Sequence, residues 1–192
     1  MKDSIRPFVP SRARILVSGI VLCALAAMFA LGFWGCGARV KHVTNLPPGV
    51  TEQQVKNWDA AVGGLHKIAV TTSTLRQTII ALNKATYTEP GKTEAEKVIP
   101  DGKLYIALLS GTARVDQAQI DAANFLKTVP NTWSASTQDK IRAYMNAIVE
   151  QIGKMTDQGM IGIKNPASQQ QVKQLLGELR DTAGLILSLT TQ

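Results

Sequence analysis

Residues Ser136–Met155, STQDKIRAYMNAIVEQIGKM, decide the fold. Their apolar members Ile141, Met145, Ile148, Ile152 and Met155 recur at steps of four, three, four and three. That is the period of one face of an α-helix, and it excludes the alternation of a half-buried strand. Lys140, Arg142 and Lys154 fall between the apolar positions, so the segment predicts an amphipathic helix with one buried stripe. Ser136 or Thr137 is the expected cap, and Gly159 and Gly162 the expected stop.

Working outward, Asn165-Pro166 is a favoured cap and first-turn pair. It opens a further helix with Val172, Leu175, Leu176, Leu179, Ala183, Ile186 and Leu189 facing inward. On the other side, Pro130-Asn131 closes a helix expected over Lys103–Thr128. Its buried side carries Leu104, Leu108, Val115, Ala118, Ala122, Phe125, Leu126 and Val129. Periodicity vanishes from Ala85 to Gly102, where Glu89-Pro90-Gly91-Lys92 and Pro100-Asp101-Gly102 read as an exposed loop with one short turn around Glu94–Lys97. Before it, Thr51 and Gln54 have capping-box spacing. They start a helix whose stripe is Val55, Trp58, Val62, Leu65, Ala69, Thr72, Leu75, Ile79 and Leu82. Thr71–Thr74 weakens that helix, because Thr is a poor helix former. Gly63-Gly64 implies a bend or a close helix approach. Four amphipathic helices with no competing strand pattern predict an all-α, up-and-down four-helix bundle over residues 51–192. Its C-terminus should lie near the loop between the second and third helices.

The remaining sequence has another character. Ile15–Trp34, ILVSGIVLCALAAMFALGFW, is twenty residues without a charge, long enough at about 1.5 Å per residue to cross a bilayer core. Lys2, Arg6, Arg12 and Arg14 precede it against Asp3 alone, a cytoplasmic flank that orients the rest of the chain outward. Residues 1–38 thus form a signal peptide or membrane anchor, and residues 39–50, with Pro47-Pro48-Gly49, a spacer. Phe33-Trp34-Gly35-Cys36, followed by Gly37 and Ala38, resembles the lipobox of bacterial lipoproteins. The resemblance covers the export segment alone and implies lipidation of Cys36, for instance by palmitate. A retained anchor with Trp34 at the interface, or simple cleaved secretion, stays open on the same residues. Cys23 falls mid-membrane as a small apolar filler.

The net charge of +7 divides into +3 over residues 1–38 and +4 over the other 154. The exported part is therefore nearly balanced, and nucleic acid is not an expected partner. Two His and two Cys do not supply a conventional zinc site or a disulfide scaffold. Aromatics at 5% disfavour a base-stacking platform. Pro90-Gly91-Lys92-Thr93 has the tail of a phosphate loop, but Thr86 stands where its leading Gly belongs. No nucleophile elbow, dinucleotide fingerprint or zinc-protease motif is present.

His66 reads as a helix-edge residue and His42 as part of the spacer. Asp116 and Asp121 are five apart and do not share a face. Glu178 and Asp181 do share one, beside Arg180 and Lys173, as ordinary surface charge. Met145, Met155 and Met160 read as core filling. No catalytic, metal-binding or cofactor-binding residue is expected, and no cofactor. Trp133 is the one residue singled out as a candidate partner contact, although packing over a bundle end is the favoured reading of it. The expected role is a non-catalytic envelope protein, membrane-tethered, with its domain on the periplasmic or extracellular side and an unidentified protein partner. The alternatives are a small-ligand carrier or sensor with a pocket near Gly63-Gly64, or a phage-encoded envelope or lysis accessory.

Overall fold

The computed structural model describes residues 46, 48–130 and 132–191, and for residues 158–161 only the helical backbone. The export segment 1–38, Cys23, Cys36 and His42 lie outside the described residues, and of Met160 only the backbone is described. Four long helices and one small hairpin follow in order: α1 (Glu52–Lys84), β1 (Thr86–Thr88), β2 (Ala95–Lys97), α2 (Gly102–Thr128), α3 (Ala135–Gly162) and α4 (Pro166–Leu189). Each helix packs on two others, α1 and α3 each lying between α2 and α4. Contacts of Arg76 with Asp116, Gly111 with Met155, and Arg142 with Thr190 show consecutive helices running antiparallel.

The N-terminal box forms as its spacing requires. The Gln54 amide donates to Thr51 Oγ1 at 3.2 Å, and the Thr51 amide donates to Gln54 Oε1 at 3.0 Å. The threonine-rich stretch stays helical. Thr72 donates its hydroxyl to the Ile68 carbonyl at 2.8 Å and Thr74 to that of Val70 at 3.1 Å, so these hydroxyls are satisfied within the helix. The buried seam of α1 runs through Ala61, Leu65, Ile68, Thr72, Leu75 and Ile79. Val62 is 38% exposed and Ala69 only partly buried, which corrects their expected place in the stripe. Steps of three and four leave two neighbouring candidates at each turn, and here Ala61 and Ile68 take the interior positions.

In α3 every member of the expected stripe is buried: Ile141, Met145 and Ile148 fully, Ile152 and Met155 to 2% exposure. Each such side chain contributes on the order of 1.5–3 kcal/mol by leaving water. One boundary differs from expectation and one meets it in part. The cap is Ser134, whose Oγ accepts from the Thr137 amide at 3.3 Å, and Thr137 itself is buried inside the first turn. The helix runs through Gly159 and ends at Gly162, the second of the two expected stops, before an extended Ile163. One glycine costs about 1 kcal/mol in a helix, too little to stop one held by packing. Asn165 caps α4 through the Ser168 amide at 3.1 Å, with Pro166 in the first turn.

The expected loop over residues 85–102 is a β-hairpin. Thr86 pairs with Lys97, Tyr87 with Glu96 and Thr88 with Ala95. The Lys92 amide donates to the Glu89 carbonyl at 3.0 Å across Pro90-Gly91, and Gly91 has φ of 88°. Pro followed by a positive-φ Gly is the requirement of a type II turn. The Glu94–Lys97 turn is thus mostly strand β2. Val98 and Ile99, directly after it, are 2% and 1% exposed and join the core. Val98 is fixed on both sides: its amide donates to Ala85 at 3.0 Å and its carbonyl accepts from Lys164 at 2.9 Å.

Candidate functional site

Of the two readings of Trp133, the structure has the packed one, over a bundle end, and not the exposed contact. The side chain is 2% exposed. Its Nε1 donates to the Leu189 carbonyl at 3.0 Å, satisfying its polar atom as a buried indole requires. Gln138 donates to the Trp133 carbonyl at 3.3 Å. Beside it, Arg142 donates through Nε to Thr190 Oγ1 at 3.3 Å and through Nη2 to the Thr190 carbonyl. Arg142 also holds Asp139 at 3.0 Å. Trp133 and Arg142 together tie the end of α4 to the start of α3, so the end of α4 lies near the α2–α3 loop, as the bundle reading requires.

The helix surfaces hold the remaining sequence candidates apart. His66 is exposed on α1. Asp116 pairs with Arg76, whose Nε also reaches Thr112 Oγ1 at 3.5 Å. Asp121 accepts from Gln117 at 2.8 Å and Glu178 from Gln174 at 3.2 Å. Met145 and Met155 are core residues. Among the described residues no group of three His, Cys, Asp or Glu is placed to hold a metal ion.

The space anticipated at Gly63-Gly64 is filled. A Cβ built on Gly64 would sit 2.7 Å from Ile186 Cδ1, so this glycine serves close approach of α1 and α4, while Gly63 faces open space. Nearby, between α1 and α2, Trp58, Val62, Leu65, Ala123, Leu126 and Lys127 enclose about 110 Å³. Small-molecule sites commonly span about 300–1,000 Å³. Trp58 Nε1 is buried there without a hydrogen-bond partner.

One polar concavity is a feature that sequence reading missed. Beneath the hairpin, Tyr87, Glu89, Lys92, Glu94, Glu96 and Lys164 border a cleft of about 310 Å³. Lys92 lies 2.6 Å from Glu89 and 3.9 Å from Glu96. The hydrogen bond and the charge of Lys92 hold the Glu89 carboxyl below the ordinary glutamate range, and Glu89 in turn raises Lys92. The turn signal Pro90-Gly91 was the available clue to this cleft, since only a reversal brings Glu89 and Lys92 back over Glu96.

No family model, curated protein or solved structure matches this chain. Among the described residues, no helix is long and apolar enough to cross a membrane.

Proposed function

We propose that the chain is a membrane-tethered bacterial envelope protein, a lipoprotein modified at Cys36, whose helical domain is non-catalytic and serves a structural or partner-binding role outside the membrane. The observation that carries the reading is the uncharged run Ile15–Trp34, set behind four cationic residues and followed by Cys36. The finer organisation belongs to the same proposal: a signal peptide or anchor over 1–38, a spacer over 39–50, and then the bundle. Two features of the domain support a presenting role. Its interior is taken up by interlocked apolar side chains, and its ion pairs among the described residues lie toward the surface, three of them between neighbouring turns of one helix. The chain enters the bundle beside Thr51, and the hairpin follows the far end of α1, whose 33 residues span roughly 50 Å.

The test is metabolic labelling with an alkyne fatty acid. The wild type should carry label that Cys36→Ser loses, while Cys23→Ser retains it. Label absent from the wild type, or unchanged in Cys36→Ser, overturns lipidation at this position.

A further inference from the structure

We propose that the outer face of α4 is the seam of a homodimer, in which the α4 helices of two copies lie side by side and parallel. With Val172, Leu176, Leu179, Ala183 and Ile186 buried, the outward positions of α4 include Gly177, Arg180, Asp181, Gly184 and Leu185. Leu185 is 67% exposed. With Val149 of α3 and Leu187 it borders an open, largely apolar groove of about 550 Å³, flanked by Arg180 and Asp181.

Charge decides what fits this face. At about 100° per residue, Gly177 and Gly184 fall on one line along the helix, with Arg180 to one side and Asp181 to the other. Leu187 follows Arg180 on its side, and Leu185 lies one turn beyond Asp181 on the other. A two-fold axis parallel to the helix brings opposite sides together. Asp181 of each copy then faces Arg180 of the other, and Leu185 faces Leu187. An antiparallel pair would instead set Arg180 against Arg180 and Asp181 against Asp181, so the charge pattern selects the parallel arrangement. The contact is isologous and closes at two copies. Among the described residues, Arg180 and Asp181 take part in none of the ion pairs. A Cβ built on Gly177 or Gly184 meets no atom within 4 Å. Unlike Gly64, these glycines serve no packing inside the bundle, and a second helix can approach closely along them.

The experiment is native mass spectrometry of the full chain in mild detergent, across a concentration series. The wild type should dimerise. Arg180→Asp alone and Asp181→Arg alone each set like charges across the seam, and each should dimerise roughly tenfold or more weakly. An equimolar mixture of the two variants restores both ion pairs and should give a heterodimer, identified by mass. Circular dichroism checks that both variants fold, as expected at exposed positions. A wild type monomeric throughout, single variants that dimerise like the wild type, or a mixture that remains monomeric overturns the proposal. Dimerisation through the N-terminal segment appears as the second of these outcomes.

Discussion

At one end of the bundle Trp133 folds over the core and donates to Leu189, whereas at the other Val98 and Ile99 plug the core beneath an exposed hairpin. The first closure uses side chains gripping backbone carbonyls: Trp133 on Leu189 and Arg142 on Thr190. The second uses backbone pairing, with Val98 joined to Ala85 and Lys164. Its charged residues stay in solvent. The same task of covering an open bundle end thus buries an indole at one end and leaves a cleft rimmed by Glu and Lys at the other. Both closures reach across the chain, Trp133 to Leu189 and Val98 to Lys164, and the hairpin end adds a local reversal.

The comparison breaks most severely at Trp133. Trp133→Ala removes a buried ring and its hydrogen bond, and should lower the free energy of unfolding by about 3–5 kcal/mol in urea titration. Ile99→Ala is the matching change at the hairpin end and should cost about 2–5 kcal/mol, toward the lower part of that range if the neighbouring backbone settles into the gap. A smaller contrast involves glycines. Gly64→Ala forces a methyl against Ile186 and should destabilise by about 1–3 kcal/mol. Gly153→Ala, facing open space on the half of α3 nearer the hairpin, should stabilise by about 0.5–1 kcal/mol. The two indoles differ again. Trp58→Phe deletes an unpartnered N–H and should leave stability within about 1 kcal/mol of wild type, whereas Trp133→Phe strands the Leu189 carbonyl and should cost about 1–3 kcal/mol.

The smallest effect is electrostatic and local. The depressed Glu89 carboxyl favours the turn above the ordinary glutamate range, and that contribution disappears as pH falls through its lowered value. The elevated Lys92 ammonium favours it below the ordinary lysine value, and that contribution disappears as pH rises through the raised one. Lys92 and Glu89 are fully solvated, so the amide resonance of Lys92 should report both transitions while the global unfolding midpoint follows neither.

The contrast between the ends also explains what was legible in the sequence. The stripe of α3 could be read because large apolar residues recur there with polar neighbours. Asn165-Pro166 and Thr51 with Gln54 were readable because a cap needs one oxygen at one spacing. The hairpin gave no such signal. Its strands have three residues each and their side chains are largely exposed, so burial imposes no alternation. Val98 and Ile99 form an apolar pair too short to show a period. Trp133 was identified as a residue of consequence, but its burial depends on Leu189 arriving from the far end of the chain. Ser134 was passed over as a cap for Ser136 and Thr137, because three hydroxyls within four residues offer the same chemistry at adjacent registers. The polar cleft was hidden with the hairpin that builds it.

The account's central claim is that this bundle stands outside the membrane. Cysteine accessibility in spheroplasts tests it most directly, with Lys92→Cys introduced into the full chain carrying Cys23→Ser and Cys36 unchanged. A membrane-impermeant maleimide should label the Lys92→Cys protein in intact spheroplasts as fully as after lysis, above the level of the same chain with Lys92 restored. Labelling that appears only after lysis would place the domain on the cytoplasmic side and contradict the account.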